Sequence, residues 1–284
     1  SEPVHVAIVV GGAAAIVSAV VGVFTVVRGQ SFAGHALTDV AAAGGSGALL
    51  LGLNPLLGFV GLGIFGAGAM DMMGVRRIRG RDLATGIVLG ASIGLAALIL
   101  YFDTTERATT GATQQILFGS IFSISNSTVP IAIGLGLASI AIIAVIYRPL
   151  ILSSLNPDIA TARGVSARLI GALFMVALAI SVGLSALAIG AILSTALLIG
   201  PAASAVRLTK RLGWAIVTAC GIGVGATWLG VLLAYDSYYW GSSRRNLPVS
   251  FFIVTLVFVG YLASGLPGIR STANRHPTRR PLSG

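Results

Sequence analysis

Residues 169–206 read LIGALFMVALAISVGLSALAIGAILSTALLIGPAASAV, a run without one Asp, Glu, Lys, Arg or His. A helix crosses the hydrocarbon core of a bilayer in about 20 apolar residues. The run is too long for one crossing, so it must hold two, turning near the glycines Gly183 and Gly190. Working outward, apolar stretches bounded by charged or turn-forming residues give seven more spans. Toward the N-terminus these are about 4–27 (ended by Arg28), 33–53 (ended by Asn54-Pro55), 56–75 (ended by the basic run 76–81), 83–102 and 128–147. Toward the C-terminus they are 214–235 and 249–266. A short apolar hairpin, 114–124, interrupts the polar stretch before the fifth span.

The expected fold class is an all-α polytopic membrane protein with about nine transmembrane helices. Composition agrees: 56% of residues are hydrophobic and 9% are charged, where a soluble domain carries about a quarter charged residues. A chain of 284 residues so occupied leaves no sizeable soluble domain. Residues 1–268 form the membrane domain, and the basic tail 269–284 is expected to be disordered. The opening Ser1-Glu2-Pro3-Val4-His5 has no basic n-region, so no cleavable signal peptide is expected. Cys220 is the sole cysteine, which excludes an intrachain disulfide and a thiolate metal cluster.

The net charge of +10 invites a nucleic-acid reading, but the placement of the charges opposes it. Lys and Arg concentrate on the cytoplasmic side of membrane proteins. With the N-terminus outside, nine spans put Arg28, Arg76, Arg77, Arg79, Arg81, Arg148, Arg163, Arg168, Arg207, Lys210, Arg211, Arg270, Arg275, Arg279 and Arg280 inside. Only Arg107, Arg244 and Arg245 remain outside. One span more or fewer scatters these charges over both sides. The basic residues therefore read as determinants of an N-out, C-in topology.

Few polar side chains interrupt the spans. His35 and Asp39 stand four residues apart in the second, on one helix face. Intramembrane ionisable groups usually face a pathway or a partner, and imidazole with carboxylate suits zinc, manganese or ferrous iron. The alternative is a His–Asp hydrogen bond that locks two helices. Asp71, close to Arg76, reads as a structural ion pair, and Asp82 as a first-turn acid favoured by the helix dipole. The small-residue patch 41–47 reads first as close helix packing.

Enzyme chemistry finds little support. Lys210, the one lysine, is followed by Arg211, so there is no P-loop. His35-Ala36-Leu37-Thr38-Asp39 is not the His-Glu-x-x-His of zinc proteases. Gly44-Gly45-Ser46-Gly47 resembles the surroundings of an intramembrane serine nucleophile, but His35 lies on the same helix, about 16 Å along its axis. Between the fifth and sixth spans, Asn156 suits an N-cap, Pro157 the first helical position, Asp158 the positive helix end and Gly164 the stop. A helix of about two turns is expected there, either as a connector or as a docking element for a cytosolic partner.

The order of these segments resembles the membrane-spanning permease of zinc/manganese/iron-type ABC importers, related to the siderophore and cobalamin permeases. Five places carry the likeness: residues 31–39, Asp82-Leu83-Ala84-Thr85-Gly86-Ile87-Val88, Leu117-Phe118-Gly119-Ser120-Ile121, residues 156–164, and the run 189–205 with its Gly200-Pro201-Ala202-Ala203. Together they cover the chain from Val4 to about Ser264. The commoner family order places Asp before His, whereas here His35 precedes Asp39, which leaves the preferred metal open.

The resemblance implies a type II importer permease in a bacterial cell membrane, with no enzymatic activity of its own. It implies two copies lining a path, cytosolic ATPase subunits and an extracytoplasmic metal-binding protein. His35 and Asp39 would then belong to the metal path. Asn156, Pro157, Asp158, Ala160, Ala162 and Gly164 would form the coupling helix. The manganese, zinc or iron ion would be cargo, with no cofactor permanently bound. The rivals are the siderophore or cobalamin branch and a proton-coupled secondary transporter. Gly200-Pro201 would interrupt a span in the latter, although no internal repeat accompanies it.

Overall fold

The computed structural model describes residues 2–72, 78–106, 111–119, 121–155, 160, 163–164, 166–237 and 247–266. Among the described residues the secondary structure is helical throughout. The helices are α1 (Glu2–Val27), α2 (Ser31–Leu50), α3 (Pro55–Met72), α4 (Ile78–Glu106), α5 (Ala112–Phe118), α6 (Thr128–Leu155), α7 (Ala167–Ile189), α8 (Ala191–Leu208), α9 (Leu212–Asp236) and α10 (Val249–Ala263), with a 3-10 turn at Ile121–Ser123. The tail 269–284 lies outside the described residues.

The long apolar run divides at one of its two glycines. Gly190, with φ +87° and ψ 157°, ends α7 and opens α8. Gly183 lies within α7, where a β-carbon would strike a Val60 methyl at 2.7 Å. It is a packing position, and no turn occurs there. Gly200-Pro201 does not interrupt its span either, since α8 runs through Pro201 to Leu208. A helix-interior proline removes one backbone hydrogen bond and need not end the helix.

Hydropathy located the spans better than the helix ends. α4 begins at Ile78, several residues before the expected start, so Asp82 lies past the first turn. α6 continues through Pro149 to Leu155, beyond the expected end. Polar residues stop a hydrophobic stretch without stopping the backbone hydrogen-bond ladder.

Seven helices are long and apolar enough to cross a membrane, namely α1, α3, α4, α6, α7, α8 and α9. Of the other three, α5 has only 7 residues, and α2 and α10 fall short for different reasons. α10 has 15 residues, about 22 Å of helix. α2 is long enough, with 20 residues, but rich in small and polar side chains. It does not need an apolar surface, because α3, α4, α7 and α8 pack around it. α7 is central: 78% of its most apolar window is buried inside the protein, against 22% for α4 at the periphery. Lipid thus meets α4, α6 and α9, while α1, α2 and α7 form the core.

The patch 41–47 is a packing surface, as its composition suggests. Gly44 and Gly58 meet backbone to backbone, so a β-carbon on either would fall on the other's carbonyl oxygen. Ser46 Oγ, fully buried, donates to the Ala42 carbonyl at 2.8 Å. Its proton is committed to its own helix, which removes the remaining case for a nucleophile. Asp71 forms an ion pair, at 3.8 Å, with Arg168 at the start of α7. Arg76, its neighbour in sequence, lies outside the described residues.

Candidate functional site

The turn between α1 and α2 is anchored by Arg28. Its Nη1 donates to Ser154 Oγ at 3.0 Å and Ser153 Oγ at 3.3 Å near the end of α6, and its guanidinium lies 5.3 Å from the Phe174 ring centre. This fixes the point from which α2 rises. Gly34, next along, packs on Leu198 of α8 and faces Leu178, which lies midway along α7. The residues that follow are therefore level with the middle of the bundle.

His35 and Asp39 occupy one side of α2 there. His35 is exposed in the single chain and Asp39 is half-buried, while Ala36, Leu37 and Thr38 between them are buried. The alternative, a His–Asp hydrogen bond, is not what His35 makes. Its Nδ1 lies 3.2 Å from Thr195 Oγ1 on α8. Asp39 Oδ2 is buried without a hydrogen-bond partner. A carboxylate oxygen so placed is costly unless a positive group visits it. α2 itself carries no lysine or arginine.

Hydroxyl groups from α2 and α8 lie beside His35. Thr38 Oγ1 donates to the Gly34 carbonyl at 3.0 Å and lies 3.2 Å from Thr195 Oγ1. Ser194 Oγ reaches Thr38 Oγ1 at 3.3 Å and the Ala191 carbonyl at 3.0 Å. Reading the sequence span by span missed Thr195 and Ser194, since threonine and serine satisfy themselves routinely within helices. The only available signal was two adjacent hydroxyls at the start of an otherwise apolar span.

Among the described residues, no group of three or more His, Cys, Asp or Glu side chains comes together as a metal centre. One chain thus offers an imidazole and a carboxylate, and a complete ion shell needs further donors. Of the expected coupling helix, Asn156, Pro157, Asp158 and Ala162 lie outside the described residues. Gly164 has φ +74°, a left-handed conformation suited to ending a helix. Ala160 is fully buried.

A bundle of this kind, with an ionisable pair at its centre and no nucleotide-binding motif, defines a polytopic transport permease. The chain belongs to the ABC 3 transport family, whose pattern matches residues 2–264. It is 27% identical to the manganese import system permease protein ScaB of Streptococcus pneumoniae, over 95% of this chain and 92% of that one. It is 28% identical to the chelated iron transport system membrane protein YfeC of Yersinia pestis, over 91% and 83% respectively. The fold is that of a chain in the PsaBC complex from Streptococcus pneumoniae, with TM-score 0.80, 24% identity, and coverage of 94% and 92%. The protein is thus a multi-pass permease subunit of an ABC transporter, and ATP hydrolysis belongs to a separate protein. Family membership excludes the proton-coupled secondary transporter.

Proposed function

We propose that this permease carries manganese or ferrous iron into the cell and that His35 and Asp39 form part of the site the ion visits on the way. The observation that carries the reading is the buried, unpartnered Oδ2 of Asp39 beside an exposed imidazole at the middle of the bundle. Manganese and ferrous iron accept nitrogen and oxygen donors. The relatives named for manganese and iron transport support the same cargo. Two donors do not hold an ion long, and transport requires a site that releases as well as binds.

A second copy of the chain, facing the first across the path, supplies the missing donors. An extracytoplasmic metal-binding protein delivers the ion, and a cytosolic ATPase drives the cycle through residues 156–164. Metal accumulation in cells that depend on this permease tests the site. His35→Ala and Asp39→Ala each abolish accumulation while the permease still assembles with its ATPase. Parental accumulation by both variants would show that the pair is structural.

A further inference from the structure

The hydroxyl chain beside His35 determines which ring nitrogen carries the proton, and this rests on the reading of His35 as a ligand. Each hydroxyl has one hydrogen to give, and a neutral imidazole has one N–H. Thr38 Oγ1 sits 3.0 Å from the Gly34 carbonyl oxygen. A carbonyl has no proton, so the Thr38 hydrogen must lie between these two oxygens, or two sets of lone pairs would face each other. The contact of Thr38 with Thr195, 3.2 Å between Oγ1 atoms, then needs the Thr195 hydrogen. With that hydrogen committed, the 3.2 Å contact between Thr195 Oγ1 and His35 Nδ1 needs a hydrogen on Nδ1.

The hydrogens thus run in one direction, from His35 Nδ1 to Thr195, from Thr195 to Thr38, and from Thr38 to the Gly34 carbonyl. We propose that Thr195 is a positioning residue that holds His35 as the Nδ1–H tautomer, with the Nε2 lone pair presented to the passing metal ion. Metal-ligating histidines commonly donate their second ring N–H to a fixed acceptor, which sets tautomer and orientation. Here the acceptor is a neutral hydroxyl on a different helix, α8. Because α8 supplies it, a movement of α8 relative to α2 releases the ring and weakens the ligand. Thr38, next to Asp39 in sequence, anchors the chain to the Gly34 carbonyl of α2 itself.

The test uses the full-length permease assembled with its ATPase. Nitrogen-15 NMR of histidine-labelled protein gives the tautomer directly. The chain has three histidines, His5, His35 and His276, and the His35 signal is the one lost in His35→Ala. The expected parental signal is Nδ1–H. Thr195→Val keeps the shape and removes the acceptor; it abolishes the tautomer preference and raises the half-saturating manganese concentration roughly 10- to 100-fold. Thr195→Ser restores both.

A parental Nε2–H signal overturns the proposal, as does parental uptake by Thr195→Val in a background where His35→Ala is inactive. Equal loss in the Val and Ser variants makes Thr195 a packing residue and also overturns it. Parental uptake by His35→Ala removes the metal site itself, and the inference with it.

Discussion

Gly119 and Gly190 meet backbone to backbone at the junction of α5, α7 and α8. A β-carbon on Gly119 would lie 2.5 Å from the Gly190 nitrogen, and one on Gly190 would lie 2.5 Å from the Gly119 nitrogen. Both residues also sit in a region of φ and ψ open essentially to glycine, at 77° and 165° for Gly119 and 87° and 157° for Gly190. The short outer hairpin is thereby set against the turn that divides the long apolar run.

Gly190→Ala should therefore destabilise the fold twice over. Backbone strain costs about 1–3 kcal/mol, and the clash with a neighbouring backbone that cannot rotate away adds about the same. The measurement is the thermal midpoint of the purified protein in detergent, followed by size-exclusion chromatography. Gly61→Ala is the control: it lies in α3 with nothing within 4 Å of a new β-carbon, and it should leave the midpoint unchanged or slightly raised. Equal midpoints for the two variants would contradict the backbone contact.

The helical, membrane-spanning class and the places of the long apolar helices were legible in the sequence because desolvation sets them: apolar length is an additive property of a segment. What the segments do to one another was not. Gly183 and Gly190 read alike in the run, and only the partner surfaces, Val60 for one and Gly119 for the other, separate a packing glycine from a turning one. Asp71 has a basic neighbour in sequence at Arg76 but pairs with Arg168 from α7. The site divides the same way. His35 and Asp39 were visible because charge in a span is costly, whereas Thr195 was not, because a hydroxyl in a span costs little. Thr195 becomes informative only through the 3.2 Å contact that joins α8 to α2.

Topology turns on the shortest of the long helices. α10, with 15 residues, gives about 22 Å of helix against a hydrocarbon core of about 30 Å. The charge asymmetry nevertheless argues for a crossing: Arg244 and Arg245 precede α10, and four arginines follow it. Reporter fusions at Ser237 and at Gly284 should therefore report opposite sides of the membrane, outside and inside respectively. The same side for both would show that α10 does not cross and that the N-out, C-in arrangement of nine spans is wrong.

Coupling to the ATPase is best probed at a charge. Ala160 is buried, so a bulky Ala160→Trp change would alter packing as well as any docking surface. Asp158→Arg reverses a charge at the expected helix start. If residues 156–164 transmit ATPase closure, this variant should assemble yet lose metal-stimulated ATP hydrolysis by tenfold or more, about 1.4 kcal/mol of coupling. The measurement is ATPase activity of the purified complex in lipid with and without manganese. Normal stimulation would move the coupling surface elsewhere.

The sharpest prediction concerns the order of the two ionisable residues in α2. Positions 35 and 39 share a helix face, so exchanging their side chains preserves the donor set while reversing its direction along the path. In the variant His35→Asp with Asp39→His, the carboxylate takes the exposed position beside Thr195, whose hydroxyl can turn to donate to it. The imidazole takes the half-buried position, where a neutral ring is easier to desolvate than a carboxylate. Neither change leaves a buried charge without a partner, so the bundle should fold. Metal accumulation should fall well below parental, because Thr195 no longer orients an imidazole. It should still exceed that of either alanine variant, which has lost a donor outright. Uptake of radioactive manganese, with half-saturation and maximal rate determined separately, measures this. The exchange should act mainly on half-saturation, since it perturbs how the ion is held and leaves the ATPase linkage intact. Uptake by the exchanged variant no better than that of the alanine variants, in a complex shown to assemble, would mean that a fixed geometry at these two positions decides transport and their shared composition does not.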